Sequence, residues 1–284
     1  MSKRFNPGVC TNSAHDASLG FATQVPLPSE GGATALPYTG ERIVPRKVPE
    51  SLFRGHEARY VFAGRFVEGR DVLDVACGTG IGTAYLLKAG ARSCIGLDID
   101  KSAVDYARAA YKGCSFMQSD AMDLDLQDES VDVVVSFETI EHVDDQRRFL
   151  EESRRVLRPG GLLICSTPNR AISRWREHNP FHVRELRVAE FRRLVEGTFG
   201  NAKMYAQEVK LLPVYVCRIV LLRMLERLGV KGAFKKVIGY KSSPLTLRNE
   251  FCKDLSKDGE IAVHKSSELA QPSYVIAVAA RGGR

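Results

Sequence analysis

The chain has no long uncharged run. In its most apolar helix candidate the longest uncharged stretch, Leu211 to Cys217, is seven residues, against the roughly 20 that a bilayer-spanning helix needs. Lys3 and Arg4 have no apolar segment behind them, so a secretory leader is not expected. There is no CxxC pair, and the seven cysteines, at 10, 77, 94, 114, 165, 217 and 252, are odd in number. That pattern suits neither a zinc knuckle nor a disulfide framework and points to a reducing, cytoplasmic setting. No internal repeat and no basic motif interleaved with aromatics is present, so nucleic acid is not an expected partner. What is there is an ordinary soluble mixture, 44% hydrophobic and 26% charged over 284 residues. This excludes a collagen-like or wholly disordered chain and leaves room for one large domain or two.

The net charge of +7 is unevenly placed: residues 1–70 carry +3, residues 71–170 carry −6 and residues 171–284 carry +10. Residues 1–36, rich in Ser, Ala, Gly, Thr and Pro, read as a mobile tail. After the Pro-rich 37–49 stretch, Leu52 to Phe66 reads as a helix. An alternation of strands and helices follows, with strands expected at Val72–Ala76, Ser93–Leu97, Ser115–Gln118, Val131–Phe137, Leu162–Ser166, Lys203–Val209 and Tyr274–Ala280. The run Val131–Phe137 is unbroken and β-branched, as suits a strand buried on both faces of a parallel sheet. The helix over Asp144–Leu157 should stop at Arg158-Pro159-Gly160-Gly161. The expected architecture is therefore α/β, a doubly wound, Rossmann-like seven-stranded sheet. Its core would comprise residues 37–210 and 272–284. Residues 211–271, too long for a plain loop, open on an amphipathic helix, Val214–Leu228, and read as a helical cap.

The segment Asp74-Val-Ala-Cys-Gly78-Thr-Gly80-Ile-Gly82 lies where the first strand meets a helix. Glycines there let backbone approach a ligand closely. A dinucleotide would place its pyrophosphate on such a loop, but the spacing is GxGxG and Asp74 precedes it by four residues. A carboxylate would repel pyrophosphate and attract an ammonium, which favours S-adenosyl-L-methionine. Asp98 and Asp100 end the second strand, where a carboxylate can accept from ribose hydroxyls, and Asp120 follows the third. Taken singly, each Asp also reads as a helix cap or turn residue.

With VLDVACGTGIG, GLDID, SDAMDL, VDVVVSFETIEHV, RVLRPGG and LLICSTPN in that order, the chain resembles the class I S-adenosylmethionine-dependent methyltransferases over about residues 40–210, and the seventh strand fits that family's antiparallel last strand. The resemblance implies a cofactor site with Asp74, Gly78 and Gly80 at the methionine end, Asp98 at the ribose, Asp120 and Ala121 at the adenine and Phe137 alongside, and Ala76, Ile99 and Glu138 complete the expected cofactor set. Upstream, TGERIVP and HEARY, with Tyr38, His56, Arg59 and Tyr60, resemble the bacterial branch associated with glycans and natural products, and add Tyr38 and Arg59 to the cofactor set.

Two segments should converge on the reacting centre: Glu138-Thr-Ile-Glu141-His142 after the fourth strand, and Asn179-Pro-Phe-His182-Val-Arg-Glu185 after the fifth. If the first is helical, Glu138, Glu141 and His142 share a face. In one reading His142 or His182 is a general base. In the other, Glu138, Glu141, His142 and His182 bind a divalent metal such as Mg, as the resemblance of ExxEH to metal-dependent O-methyltransferases implies. The expected partner is a small-molecule acceptor, a hydroxyl on a sugar, glycolipid precursor or natural product. RNA 2′-O-methylation and a non-catalytic cofactor-binding subunit are the rival readings. The basic residues of 211–236 would allow peripheral membrane contact.

Overall fold

The structure, a computed structural model, describes residues 25, 36, 42–48, 50–173, 179–207, 251–254 and 273–283. In chain order they form α1 (Glu50–Gly64), β1 (Asp71–Val75), α2 (Ile81–Lys88), β2 (Ser93–Asp98), α3 (Lys101–Ala110), β3 (Ser115–Gln118), β4 (Val131–Phe137), α4 (Gln146–Val156), β5 (Leu157–Pro168), α5 (Arg170–Ser173), α6 (Val188–Phe199), β6 (Ala202–Gln207), β7 (Phe251–Asp254) and β8 (Tyr274–Ala280). The strand order is β3-β2-β1-β4-β5-β8-β6-β7. The first five strands pair in parallel, and β8 runs antiparallel between β5 and β6. This is the expected doubly wound sheet with its antiparallel last long strand. One strand is additional. Four residues of the stretch expected to be a helical cap, Phe251–Asp254, pair antiparallel with β6 and make an eighth, edge strand. The expected helix Val214–Leu228 and the stretch 211–236 lie outside the described residues.

Alternate residues of each central strand point to opposite faces, and each face buries its own cluster. Val72, Val133, Val135, Ile164 and Val278 pack under α1, α2 and α3 through Phe62, Leu86 and Val104. Leu73, Val134, Leu163 and Val275 pack under α4 and α6 through Phe149, Leu150 and Phe191. Burying each such large apolar side chain contributes about 1.5–3 kcal/mol before ordering costs. Val25 and Leu36, within the stretch read as a mobile tail, are both buried, and Val25 belongs to the first of these clusters.

Helix α4 starts at Gln146 because the Asp145 carboxylate accepts from the N–H groups of Arg147 and Arg148, both at 3.0 Å, an N-cap. The Arg158-Pro159-Gly160-Gly161 stretch ends the helix as expected, yet it lies inside β5 rather than before it. Val131 pairs with Leu157 and Val133 with Leu162, so β5 bulges there and resumes the ladder beyond it. Gly160 has φ +80° with open space around it, whereas a Cβ on Gly161 would meet the Asp132 and Arg158 carbonyl oxygens at 2.9 Å.

Candidate functional site

The strand order reverses direction at the β1/β4 junction, where an open α/β sheet leaves a crevice beyond its carboxyl ends. A cavity of about 870 Å³ opens there. Two non-glycine residues bordering it have left-handed backbones, Ala76 just after β1 (φ 59°) and Glu138 just after β4 (φ 56°). Such conformations persist only where the surrounding structure enforces them.

Gly78, Asp98, Ile99, Asp120 and Ala121, all expected in the cofactor site, line this cavity together with Ala76 and Phe137. The Asp98 carboxylate accepts from the N–H of Gly78 (2.8 Å) and of Asp100 (2.9 Å), joining the glycine loop to the end of β2. Burial raises its pKa, against the opposing pull of those two N–H groups and of Arg42. A Cβ at Gly78 would meet nothing, so the loop backbone presents itself openly to the cavity. Ile99 is 66% exposed beside it. Asp120 accepts from the N–H of Met122 (2.8 Å), so the turn role and the cavity role coexist. Asp100 is the N-cap of α3 through Ser102 and also pairs with Arg42.

Two of the expected residues stand back from the cavity lining. Asp74 does not border the cavity. It is fully buried, accepting from Thr83 Oγ1 (2.6 Å) and from Tyr60 Oη (3.1 and 3.2 Å). Burial pushes its pKa up to about 7, with the two hydroxyl donors opposing. It therefore anchors the loop from behind. Gly80 is also withdrawn: at φ +78°, a Cβ there would come within 2.7 Å of Ala107 Cβ and 2.8 Å of the Phe116 ring. Its missing side chain serves helix–strand packing. Tyr38 lies outside the described residues.

Arg59 borders the cavity and is buried. It donates to Gln207 Oε1 (2.8 Å), lies 3.3 Å from His56 Nδ1 and stacks over Tyr274 at 4.7 Å. Burial, then the charge of Arg59, lowers the pKa of His56 to about 3, which keeps it neutral.

The segment after β4 is a turn, not the helix that would put Glu138, Glu141 and His142 on one face. The left-handed backbone of Glu138 ends regular structure, and the His142 N–H closes a turn on Thr139 O (2.9 Å). Glu138 instead accepts from Ser166 Oγ (2.9 Å). The remaining three do converge: Glu141, His142 and His182 bring ligand-type atoms within 4.8 Å of one another. The imidazoles of His142 and His182 meet edge to face, centroids 4.8 Å apart. His142 Nδ1 lies 3.0 Å from Phe181 O, and the loop carrying His182 is fixed to the Glu141 carbonyl by the N–H groups of Val183 (2.8 Å) and Arg184 (3.1 Å).

This donor set fits magnesium poorly. Magnesium takes oxygen ligands in octahedral array, whereas the set offers one carboxyl and two imidazoles. Burial, then the nearby Glu138, raises the Glu141 pKa well above the usual range and favours its neutral form. His182 has both ring nitrogens engaged, by Glu185 and Asn179. Those two residues, with Ser173, also border the cavity and had not been singled out as site residues. The three-residue step from His182 to Glu185 is the one local signal that could have marked the pair.

A crevice at the reversal of a parallel sheet, lined by a glycine loop, an acid at the end of β2 and another after β3, is where open α/β folds bind their ligands. Comparison with known proteins narrows this. A methyltransferase domain model matches residues 73–165. A "Probable S-adenosylmethionine-dependent methyltransferase" of Mycolicibacterium smegmatis is 46% identical over 173 residues, 60% of this chain and 67% of that protein. One of the same description from Mycobacterium tuberculosis is 43% identical over 184 residues, 63% of this chain and 67% of that protein. The phthiotriol/phenolphthiotriol dimycocerosates methyltransferase of M. tuberculosis is 38% identical over 112 residues, 38% of this chain and 42% of that protein. Among solved structures, a SAM-dependent methyltransferase from Thermotoga maritima has a TM-score of 0.52 at 18% identity, covering 82% of this chain and 93% of that one, a likeness of fold. The chain belongs to the class I S-adenosylmethionine-dependent methyltransferases.

Proposed function

We propose that this enzyme methylates a hydroxyl of a small-molecule acceptor, a sugar, glycolipid precursor or natural product, with a histidine of the His142/His182 pair as general base and without a metal. The observation that carries the reading is the paired imidazoles on the wall of the cavity that contains the Gly78/Asp98/Asp120 cofactor cradle. S-adenosylmethionine, when bound, supplies an electrophilic methyl group. Asp98 would hold the ribose hydroxyls, Ile99 and Ala121 would flank the adenine beside Asp120, and the backbone around Gly78 would give close approach. Arg59, a cation on the cavity wall, suits the cofactor's carboxylate. A neutral hydroxyl is a weak nucleophile, and removing its proton in place contributes about 10²–10⁴-fold.

The acceptor side is polar, with Glu138, Asn179, Ser173 and Glu185 on the wall, which suits hydroxyl-bearing acceptors. Phe181 and Val183, 39% and 56% exposed on either side of His182, suit an acceptor with an apolar portion. The lipid substrate in the printed name of one relative is consistent with such an acceptor. Cys77, Cys94, Cys114 and Cys165 are free thiols, which accords with a reducing, cytoplasmic location. Among the described residues no helix is long and apolar enough to cross a membrane.

The test incubates the full chain with methyl-labelled S-adenosylmethionine and a small-molecule extract, reading a product heavier by CH₂. Chelators should leave turnover unchanged. His142→Ala or His182→Ala should lower it by about 10²–10⁴-fold while cofactor affinity stays intact. Loss of activity on chelation with recovery on added Mg would restore the metal reading. Full activity in the double variant would leave catalysis to positioning alone. Salt-sensitive capture of RNA would support a nucleic-acid acceptor instead.

A further inference from the structure

His182 makes two side-chain contacts whose donor and acceptor roles can be read from opposite ends. On one side, the Asn179 amide is oriented by its own oxygen, which accepts from the Phe181 N–H at 3.0 Å. Its nitrogen therefore faces His182 Nε2, at 2.9 Å. An amide nitrogen only donates, so Nε2 must carry the lone pair. On the other side, His182 Nδ1 lies 2.6 Å from Glu185 Oε1, and a carboxylate only accepts, so Nδ1 must carry the hydrogen. The two readings agree on one tautomer. Behind the carboxylate, Ser173 Oγ donates to Glu185 Oε2. The backbone holds the frame: the Arg170 N–H donates to Leu186 O at 3.0 Å, and the Val183 and Arg184 N–H groups are tied to Glu141 O.

We propose that Glu185 is a positioning residue: backed by Ser173, it fixes His182 as the Nδ1–H tautomer and makes Nε2 the proton-accepting atom, while the Asn179 amide occupies that lone pair until an acceptor hydroxyl displaces it. The inference rests on His182 serving as the base. In the transfer the hydroxyl proton passes to Nε2 and the methyl group is bonded to the oxygen. The carbon–sulfur bond breaks with its electron pair left on sulfur, and the positive charge moves from sulfonium to imidazolium. Glu185, at hydrogen-bond distance from Nδ1, lies where that charge arrives. A base oriented through its second nitrogen by a carboxylate is the general logic of activated histidines.

The test is read without the cofactor. In the full chain labelled with ¹⁵N-histidine, ring-nitrogen shifts report the tautomer, His182 being assigned by its loss in His182→Ala. Wild type should show Nδ1–H. Asn179→Ala should keep it, because Glu185 sets it, and Glu185→Ala should lose it, moving to Nε2–H or a mixture. In the labelled-extract assay Glu185→Ala should lower turnover on the order of 10–100-fold, as loss of an orienting partner does, with S-adenosylmethionine affinity unchanged. Glu185→Gln, whose amide oxygen can accept the same bond, should recover much of the rate. An Nε2–H wild type, or a tautomer that follows Asn179 and ignores Glu185, overturns the proposal. The wild-type tautomer and its persistence in Asn179→Ala decide even if Glu185→Ala fails to fold. If the shifts come out as expected but His182→Ala retains full turnover, the base reading fails and the positioning stands apart from it.

Discussion

The two ends of the central sheet hold their carboxyl groups in opposite ways. At the amino ends of β1 and β4, Asp71 and Asp132 are surrounded by guanidinium groups. Arg92 reaches Asp71 at 2.5 Å, and Arg158 reaches Asp71 at 2.9 Å and Asp132 at 2.8 Å. Arg92 above all, then Ser93 and Arg158, holds the Asp71 pKa well below the usual carboxylate range against a modest burial effect. At the carboxyl ends Asp74 and Glu141 are buried and Asp98 is half-buried, and desolvation is the first cause of the upward shift of each. One end favours the charged carboxylate and stabilises the fold. The other end favours the neutral acid, in the cavity wall at Asp98 and Glu141 and behind it at Asp74.

The contrast is tested most severely by alanine at Gly80. A left-handed backbone and a Cβ forced against Ala107 and Phe116 should cost about 2–5 kcal/mol, combining backbone strain with overpacking, read as a large drop in melting temperature. Next, Asp98→Ala should weaken S-adenosylmethionine binding by about 1–3 kcal/mol, since buried hydroxyls and the Gly78 N–H lose an acceptor. Calorimetry measures this, and unchanged affinity would remove Asp98 from the ribose role. At the amino end Gly160→Ala also meets a positive φ but open space, so it should cost only about 1–2 kcal/mol and leave cofactor affinity alone. A Gly160 effect as large as that of Gly80 would erase the distinction between the two ends.

The smallest effect is that of Asp71→Asn, about 0.5–1 kcal/mol for partly exposed ion pairs, and its pH dependence sharpens the comparison. Asp71 is depressed when folded, so its contribution is present above the unfolded pKa of ~4 and lost as pH falls. Asp74 is raised, so its contribution is full below ~4 and lost as pH rises through about 7. Denaturant midpoints should therefore fall less steeply on acidification in Asp71→Asn. In Asp74→Asn the decline between pH 4 and about 7 should flatten. Identical profiles in the two variants would mean that the ends do not differ.

How much was legible in the sequence follows the range of the interactions involved. Strand β4 is a run of buried β-branched residues, and its own composition declares it. Gly78 and Asp98, each at a strand end next to a recognisable turn, were readable for the same reason. The role of Asp74 was not, because its partner Tyr60 lies on α1 and no spacing rule links them. Nor was the backbone of Glu138 readable, since a single non-glycine residue in the left-handed region leaves no compositional mark. That one dihedral decides whether Glu138 joins Glu141 and His142. The passage of β5 through Pro159-Gly160-Gly161 was hidden because those residues signal a stop, and only pairing with β4 shows that the strand continues.

The placement of β8 bears on how the chain reaches this state. Strand β5 is covered on its outer edge by β8 over seven paired positions, Leu162 with Ala280 through Pro168 with Tyr274, and β6 takes the other edge of β8. Everything from β1 to β6 is synthesised before β8 exists. Until it arrives, two long apolar edges have unpaired backbone groups, a template for association with other chains. Closing so distant a pairing is slow because the intervening chain loses its freedom first. The nascent enzyme therefore passes through a stage with its glycine loop made and its sheet unfinished. A fragment ending at Gln207 would remain there, prone to aggregate rather than to bind.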